Sequence, residues 1–335
     1  MGQTRVAILL YADCLTMEVC AVNDLLLLAN RIAQTETSCA SPPFIVETIS
    51  VGRRRVTAAG GIRLSASPAS SNMDLLIVPG LDFGGLDISR TRLAEHGREA
   101  AFIRRTFARG VPVASICVGA FMLAEAGLLS GRKATTAWLF APILARLYPA
   151  IDVRPDALLL EDTGVTTAGA FSAATDLALH LVRTFAGPTL AQQTANVALI
   201  DQGRDSQAPF IDRRLRAPIQ EDKFSARVQR WLVNHVDEPY DLPRLAAAFH
   251  ISPRTLLRRF KKETDTSPLA YLQQHRIQIA QELLRSTSLT VAQITERVGY
   301  ADVATFCSLF NRRVRLSPTA YRKRFSNPAI IDAAE

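Results

Sequence analysis

The chain has 335 residues, of which 48% are hydrophobic and 21% charged, with a formal net charge of +8. That length accommodates two domains of ordinary size, and the composition is that of a folded chain rather than a disordered one. No run of about 18 apolar residues is present to span a membrane, and five scattered cysteines form neither paired spacings nor a metal-ligand cluster, as expected of reduced thiols in the cytoplasm.

The charge is unevenly placed. Residues 1–219 carry 21 Lys and Arg against 19 Asp and Glu, whereas residues 220–326 carry 18 against 10. A basic segment joined to a near-neutral one points to a polyanion-binding module attached to a domain of another kind.

Taken in chain order, Arg5–Tyr11 reads as a buried strand and Met17–Ile32 as a helix. Phe44–Val51 and Asp74–Pro79 are predicted strands, and Arg98–Arg109 a helix before the strand Val111–Ile116. Gly119–Ala126 and Trp138–Leu147 are expected to be helical, Gly164–Ala168 extended, and Ala173–Phe185 a strong helix. This alternation predicts an α/β domain over 1–204, with a mostly parallel sheet and helices on both faces. A polar stretch with two prolines follows, so an interdomain linker is placed at 205–220. Residues 221–326 show no strand pattern and are expected to be all-α, with 327–335 as a tail.

The helical segment contains a repeat offset by 50 residues: Leu256 matches Phe306, Phe260 matches Phe310, and Ser267-Pro268 matches Ser317-Pro318. Two copies of one supersecondary unit explain this. In the first, Leu242, Leu245 and Phe249 form an apolar stripe, His250-Ile251 the turn, and Ser252-Pro253 the start of the second helix. In the second, Val291, Ile294 and Val298 form the stripe, Gly299-Tyr300 the turn, and Asp302 the cap. Both are helix-turn-helix patterns. The second helix of the first copy turns Leu256 and Phe260 inward and leaves Arg254, Leu257, Arg258, Lys261 and Lys262 on other faces. A basic helix of this kind suits a major groove, where Arg can donate two bonds to guanine. In the second copy Ala304 and Thr305 are placed for a thymine methyl, and Arg312 and Arg313 for phosphates. The first helix is therefore expected to read bases and the second mainly to position the protein. Between them, Pro268–Ser286 patterns as one helix, about 28 Å long at 1.5 Å per residue, close to the ~34 Å between successive major-groove windows.

Residues 223–325 resemble the AraC/XylS DNA-binding domain, through ISPRTLLRRFKKETDTSPLAYLQQHRIQIAQELL and VAQITERVGYADVATFCSLFNRRVRLSPTAYRKRF. The resemblance implies direct readout by Arg254, Leu257, Arg258, Ala304, Thr305 and Ser308, although the family often has a longer polar or basic residue at the place of Ser308.

In the first domain the sharpest feature is Ser115-Ile116-Cys117-Val118-Gly119, between a buried strand and a helix. Such a turn forms an elbow with helix N–H groups facing an anion, and a helix N-terminus can lower a thiol pKa. Gly80, after DLLIVP, is positioned to offer another backbone N–H at the carboxyl edge of the sheet, where open α/β sheets bind ligands. The loop Asp82–Gly85 follows it, and Trp138 is a further candidate for the pocket wall. Residues 5–186 resemble the PfpI-like branch of the class I glutamine amidotransferase fold, through RVAILLY, TMEVCAVNDLLLLAN, DLLIVPG, SICVGAFMLAEAGLL and GRKATTAW. With the helical domain attached, nearly the whole chain resembles GlxA-type transcriptional regulators. The resemblance implies that Glu18 faces the elbow cysteine, although a solvated first-turn glutamate fits the residues equally. It also implies a histidine base that this chain lacks: Val118, Ala137 and Ala168-Gly169-Ala170 stand where enzymes or relatives carry one. Of the two histidines left in the domain, His96 is expected in a loop and His180 half-buried in a helix.

The favoured expectation is a cytoplasmic, DNA-binding regulator without catalytic residue, metal or cofactor. Its partners would be promoter double-stranded DNA, a small effector near Cys117 (an amino acid or quaternary amine by resemblance), a second copy through the first domain, and RNA polymerase; no membrane is involved. A cysteine-dependent hydrolase or amidase fused to a DNA-binding domain, and an inert α/β domain on a DNA-binding module, are the alternatives.

Overall fold

The computed structural model describes residues 3–36, 41–52, 54–85, 88, 90–212, 215, 223–264 and 266–326. The chain divides into two compact units, Met1–Gln207 and Ala208–Glu335. The division falls inside the linker expected at 205–220, of which residues 213, 214 and 216–220 lie outside the described residues, as does the tail 327–335.

The first unit runs β1 (Thr4–Leu10), α1 (Thr16–Glu36), β2 (Phe44–Ser50), β3 (Arg55–Thr57), β4 (Arg63–Ser65), β5 (Ser67–Pro68) and β6 (Leu75–Val78). It continues with α2 (Arg90–Ala94), α3 (Gly97–Ala108), β7 (Val113–Ile116), α4 (Gly119–Glu125), β8 (Lys133–Ala134), α5 (Ala141–Leu147) and β9 (Asp152–Val153). β10 (Leu159–Asp162), β11 (Val165–Ala168), α6 (Ala173–Ala186) and α7 (Pro188–Val197) complete it. The main sheet has the order β10-β11-β7-β6-β1-β2-β5, parallel throughout except for the β10–β11 pair. Every residue of β6 and β7 is buried, so both faces of the sheet must be covered. One helix group is α1, α6 and α7, and another is α2, α3 and α4. Because β1 leads away in one direction and β6 in the other, the strand order reverses between them, and the turns after β1, β6 and β7 open onto one crevice.

The expected α/β architecture is therefore present, with some differences. Trp138 precedes a helix instead of opening it, because α5 begins at Ala141 with a proline in its first turn. The antiparallel edge strand β10, the short strands β3–β5, β8 and β9, and helices α2 and α7 were not expected.

The second unit is helical: α8 (Phe224–Asn234), α9 (Leu242–Ala248), α10 (Pro253–Thr264), α11 (Pro268–Ser286), α12 (Val291–Arg297), α13 (Val303–Val314) and α14 (Pro318–Phe325). Short polar side chains start most of them. Asp241, Ser252, Ser267, Thr290, Asp302 and Ser317 each accept a backbone N–H three residues on, and Thr290 with Gln293 closes a full capping box. Each such cap stabilises its helix by about 1 kcal/mol.

Two small cores result. Phe224, Val228, Leu245, Leu256, Phe260 and Leu272 make the first, and Ile277, Leu284, Ile294, Phe306, Phe310 and Tyr321 belong to the second. Helix α11 contributes to both, so the two helix-turn-helix units share one continuous rod.

Buried Arg276 on that rod ties the halves together. Its Nε donates to Val236 O at 2.8 Å, its Nη2 to Glu238 O, and its guanidinium lies over Tyr300 at 5.0 Å. Gly299, in the second turn, has φ +75° and no room for a side chain: a Cβ would sit 2.5 Å from Arg276 Nη2 and 2.6 Å from Val236 O. Gly299→Ala is therefore expected to destabilise the helical unit by about 2 kcal/mol or more, left-handed backbone and overlap adding together. Urea unfolding followed by far-UV circular dichroism checks this, and an unchanged transition would show that the turn relaxes freely.

Candidate functional site

Helices α10 and α13, expected to contact DNA, have the buried and exposed faces that their sequence predicts. In α10, Leu256 and Phe260 are fully buried, while Arg254, Leu257, Arg258, Lys261 and Lys262 are exposed. The left-handed His250 (φ 53°) makes the tight turn before it. The cations of α10 fall into two classes. Arg259 stacks on Phe224 at 4.2 Å and reaches Glu263 at 3.4 Å, so it serves the fold. Arg254, Arg258, Lys261 and Lys262 have no ion pair among the described residues and face solvent.

Helix α13 buries Phe306, Leu309 and Phe310 and exposes Ala304, Thr305 and Ser308, with Arg312 exposed and Arg313 half-buried at its end. The residues proposed to contact DNA thus lie on the outer faces of α10 and α13, and the spacer α11 spans 19 residues as expected.

At the crevice of the α/β unit, Cys117 sits between β7 and α4 with φ 55°, a strained conformation for any residue but glycine. Gly119 allows the turn: a Cβ there would lie 2.5 Å from Val78 O and 2.6 Å from Pro79 O. Val118 is buried beside it, and its backbone N–H faces the thiol.

Glu18, in the first turn of α1, is completely buried and so is not a solvated helix residue. Its Oε2 accepts the Gly80 N–H at 2.6 Å; its Oε1 has no oxygen or nitrogen partner among the described residues, and the Cys117 thiol stands beside the carboxyl group. Burial pushes the Glu18 carboxyl up to about 7, with the Gly80 N–H and the thiol pulling the other way.

Two expectations are corrected here. The Gly80 N–H is not open to a ligand, because Glu18 holds it. The Cys117 thiol is raised well above its ordinary range, by burial first and by the Glu18 carboxylate next; the backbone N–H groups of Val118 and Phe171 do not offset them. A helix N-terminus acts only over its first turn, whereas desolvation acts on the whole buried group.

Thr136 Oγ1 donates to Cys117 O at 2.7 Å, and Cys117 N donates to Ala168 O at 3.0 Å. Half-buried Trp138 lies in the loop that follows Thr136. His180 Nε2 lies 3.7 Å from Glu161 and is half-buried, as expected. His96 is buried in the turn between α2 and α3, its ring edge-on to Tyr11 at 5.4 Å.

A polar cavity of about 380 Å³ adjoins this site, lined by Tyr11, Asp13, Asp82, Glu95, His96, Arg98 and Glu99 among others. Its wall reaches the turn after β6 that Glu18 holds: Leu81 lines it next to Gly80, and the Tyr11 hydroxyl donates to Pro79 O. None of the six predicted ligand residues lines this cavity itself. Sequence reasoning missed it because it is assembled from four separate segments.

The comparisons agree with this geometry. Residues 5–184 match the DJ-1/PfpI family. The chain belongs to that family. Residues 245–324 match a helix-turn-helix domain. Among curated relatives, the regulator GbdR of Pseudomonas aeruginosa is 25% identical over 285 residues, covering 82% of this chain and 74% of that one. The regulator GlxA of Rhizobium meliloti is 24% identical and matched over 96% of both chains. A ThiJ/PfpI family protein from Pseudomonas syringae superposes with a TM-score of 0.50 at 22% identity, covering 61% of this chain and 78% of that one, and shares the fold. With a DJ-1/PfpI unit and a helix-turn-helix unit in one chain, this protein is a DNA-binding transcription regulator.

Proposed function

We propose that the DJ-1/PfpI unit is a sensor: it binds a small ligand beside Cys117, does not turn it over, and thereby alters how α10 and α13 engage promoter DNA. The observation that carries this is the state of the elbow. A nucleophile needs an ionised thiol and a base; Cys117 is buried and held protonated, and non-basic side chains occupy positions 118, 137 and 168–170. The strained turn with its buried acid beside a polar cavity is suited to binding.

The cavity carries Asp13, Asp82, Glu95 and Glu99 together with Arg92 and Arg98. Charges of both signs favour a small ligand with a cationic and an anionic end, and amino acids and carboxylated quaternary amines have that form. Coupling requires the ligand to bind the DNA-competent and incompetent states unequally.

Dimerisation through the same unit is supported by α1, where Met17, Cys20, Asp24 and Leu27 form one exposed stripe with Met17 at 40% and Leu27 at 41% exposure. No described helix is long and apolar enough to cross a membrane, and a cytoplasmic site of action, with RNA polymerase as a further partner, completes the reading.

Thermal unfolding of the full chain against amino acids, betaines, carnitine-like amines and small acids tests the sensor. One compound is expected to raise the midpoint with concentration, by the equivalent of about 2.7 kcal/mol at a hundredfold excess over its Kd, and to change affinity for promoter DNA without being consumed. Hydrolysis of a panel member that Cys117→Ala abolishes would instead establish the hydrolase reading.

A further inference from the structure

The last residue of the first unit is Gln207, only 3% exposed although it lies in a polar connecting segment. Its main chain is fastened first: Gln207 N donates to Asp156 O at 2.8 Å, and Ser206 bridges Ala157. Its carboxamide then enters a niche made almost wholly of backbone. Oε1 accepts from Ala170 N at 2.9 Å and Trp138 N at 3.3 Å, while Nε2 donates to Ala157 O at 2.9 Å and Thr136 O at 3.0 Å.

The niche is built for this group. N–H donors face the oxygen and carbonyls face the nitrogen, so a carboxylate would meet like charge at one end. Gly169 forms its floor, and a Cβ there would overlap the carboxamide.

These contacts close a ring with the elbow. From Cys117 O the path runs through the Thr136 hydroxyl to Thr136 O, through the Gln207 carboxamide to Ala170 N, and back by Ala168 O to Cys117 N. The next amide, Phe171 N–H, faces the Cys117 sulfur. A group that seats at Cys117, or adds bulk to its sulfur, crowds the Glu18 carboxyl on one side and the Val118 and Phe171 amides on the other, and Phe171 adjoins Ala170, whose N–H Gln207 holds. Ala208, one residue on, begins the helical unit.

We infer that Gln207 is a positioning residue, a latch fastening the linker to the elbow, and that occupancy or modification of Cys117 releases it. This rests on the sensor reading for its purpose but not for its test. Release frees the segment that joins the DNA-binding unit to the sensor, and by linkage, loosening the latch must in turn open the elbow.

The test uses the full chain, N-ethylmaleimide as the probe of Cys117, and peptide-resolved mass spectrometry. In the wild-type protein, alkylation of Cys117 is expected to speed hydrogen exchange of the Gln207 and Ala170 amides about tenfold, the equivalent of losing one or two hydrogen bonds. Gln207→Leu keeps a similar side-chain volume and the main-chain bond to Asp156 O but none of the carboxamide's bonds, and is expected to speed alkylation of Cys117 by a similar factor, with no further change in exchange once Cys117 is modified. A side chain that merely filled space would tolerate leucine with no change at Cys117.

Unchanged exchange at Gln207 in fully alkylated wild-type protein overturns the latch, whether or not the leucine variant folds. An unchanged Cys117 rate in a folded leucine variant also overturns it. Neither measurement involves an effector or DNA, so a flat ligand panel with a working latch, or the reverse, separates the failure of one proposal from that of the other.

Discussion

Arg258→Ala is expected to weaken binding to a duplex site selected by the wild-type protein by about ten- to a hundredfold, and to relax the preference at one base pair. The value follows from the ~1–3 kcal/mol of discrimination that a bidentate Arg–guanine contact supplies. The structure narrows which cation to choose. Arg259 is spent on Phe224 and Glu263, so its loss would act through folding. Arg254 and Arg258 are exposed, have no ion pair among the described residues, and lie one turn apart on the outer face of α10. Lys262, at the last turn, is the cation proposed for a phosphate contact. Lys262→Ala should lower affinity evenly for all sequences and reduce the slope of log K against log salt by about one. Fluorescence anisotropy at several salt concentrations distinguishes the two patterns. Unchanged affinity and unchanged base preference in Arg258→Ala would remove α10 as the reading helix. The second helix offers Ala304, Thr305 and Ser308, all short, so single substitutions there should cost less.

How much of this was legible in the sequence depends on the range of the interaction concerned. Strand β6 is an unbroken apolar run and β1 is one from Val6 onward, and the burial of those residues on both faces follows directly from that pattern. Helices α10 and α13 announce themselves through Ser252 and Asp302, whose capping bonds reach three residues, and α11 through a periodicity sustained over its whole length. The repeat with its 50-residue offset marks the paired units in the sequence alone.

What failed was long-range. The edge strand β10 reads Leu-Leu-Glu-Asp without alternation, and only pairing with β11 makes it a strand. The helix that follows Cys117 suggests a lowered thiol pKa, whereas burial and Glu18, nearly a hundred residues earlier, raise it. The Gly80 N–H looked free because its acceptor lies 62 residues away. Gln207 carried no signal at all. It is one polar residue in a polar linker, and its side-chain partners lie 37 to 72 residues distant, most of them backbone groups that no residue type encodes.

The same buried acid gives the protein a pH dependence that Glu18→Gln should abolish. An ordinary carboxyl in the unfolded chain titrates near 4.5, whereas burial moves Glu18 in the folded chain up to about 7. Below about pH 4.5 the group is protonated in both states and burial carries no charge penalty, so its contribution is most favourable there. As pH rises from there, the unfolded chain releases the proton and the folded chain retains it, so stability falls by about 1.4 kcal/mol per pH unit. The fall levels off once the native carboxyl ionises near 7, for a loss of about 3 kcal/mol in all. Glutamine keeps an oxygen for the Gly80 N–H and never ionises. The variant should therefore match the wild type at pH 4 and exceed it by about 3 kcal/mol at pH 8, as read by urea unfolding at the two values. Removing the carboxylate also removes a cause of the raised Cys117 pKa, so thiol alkylation at pH 8 should quicken while burial still holds it below that of an exposed cysteine. A stability difference between the two proteins that is the same at pH 4 and pH 8 would mean that Glu18 keeps its charge on folding, and that the elbow holds a carboxylate rather than a proton shared beside a thiol.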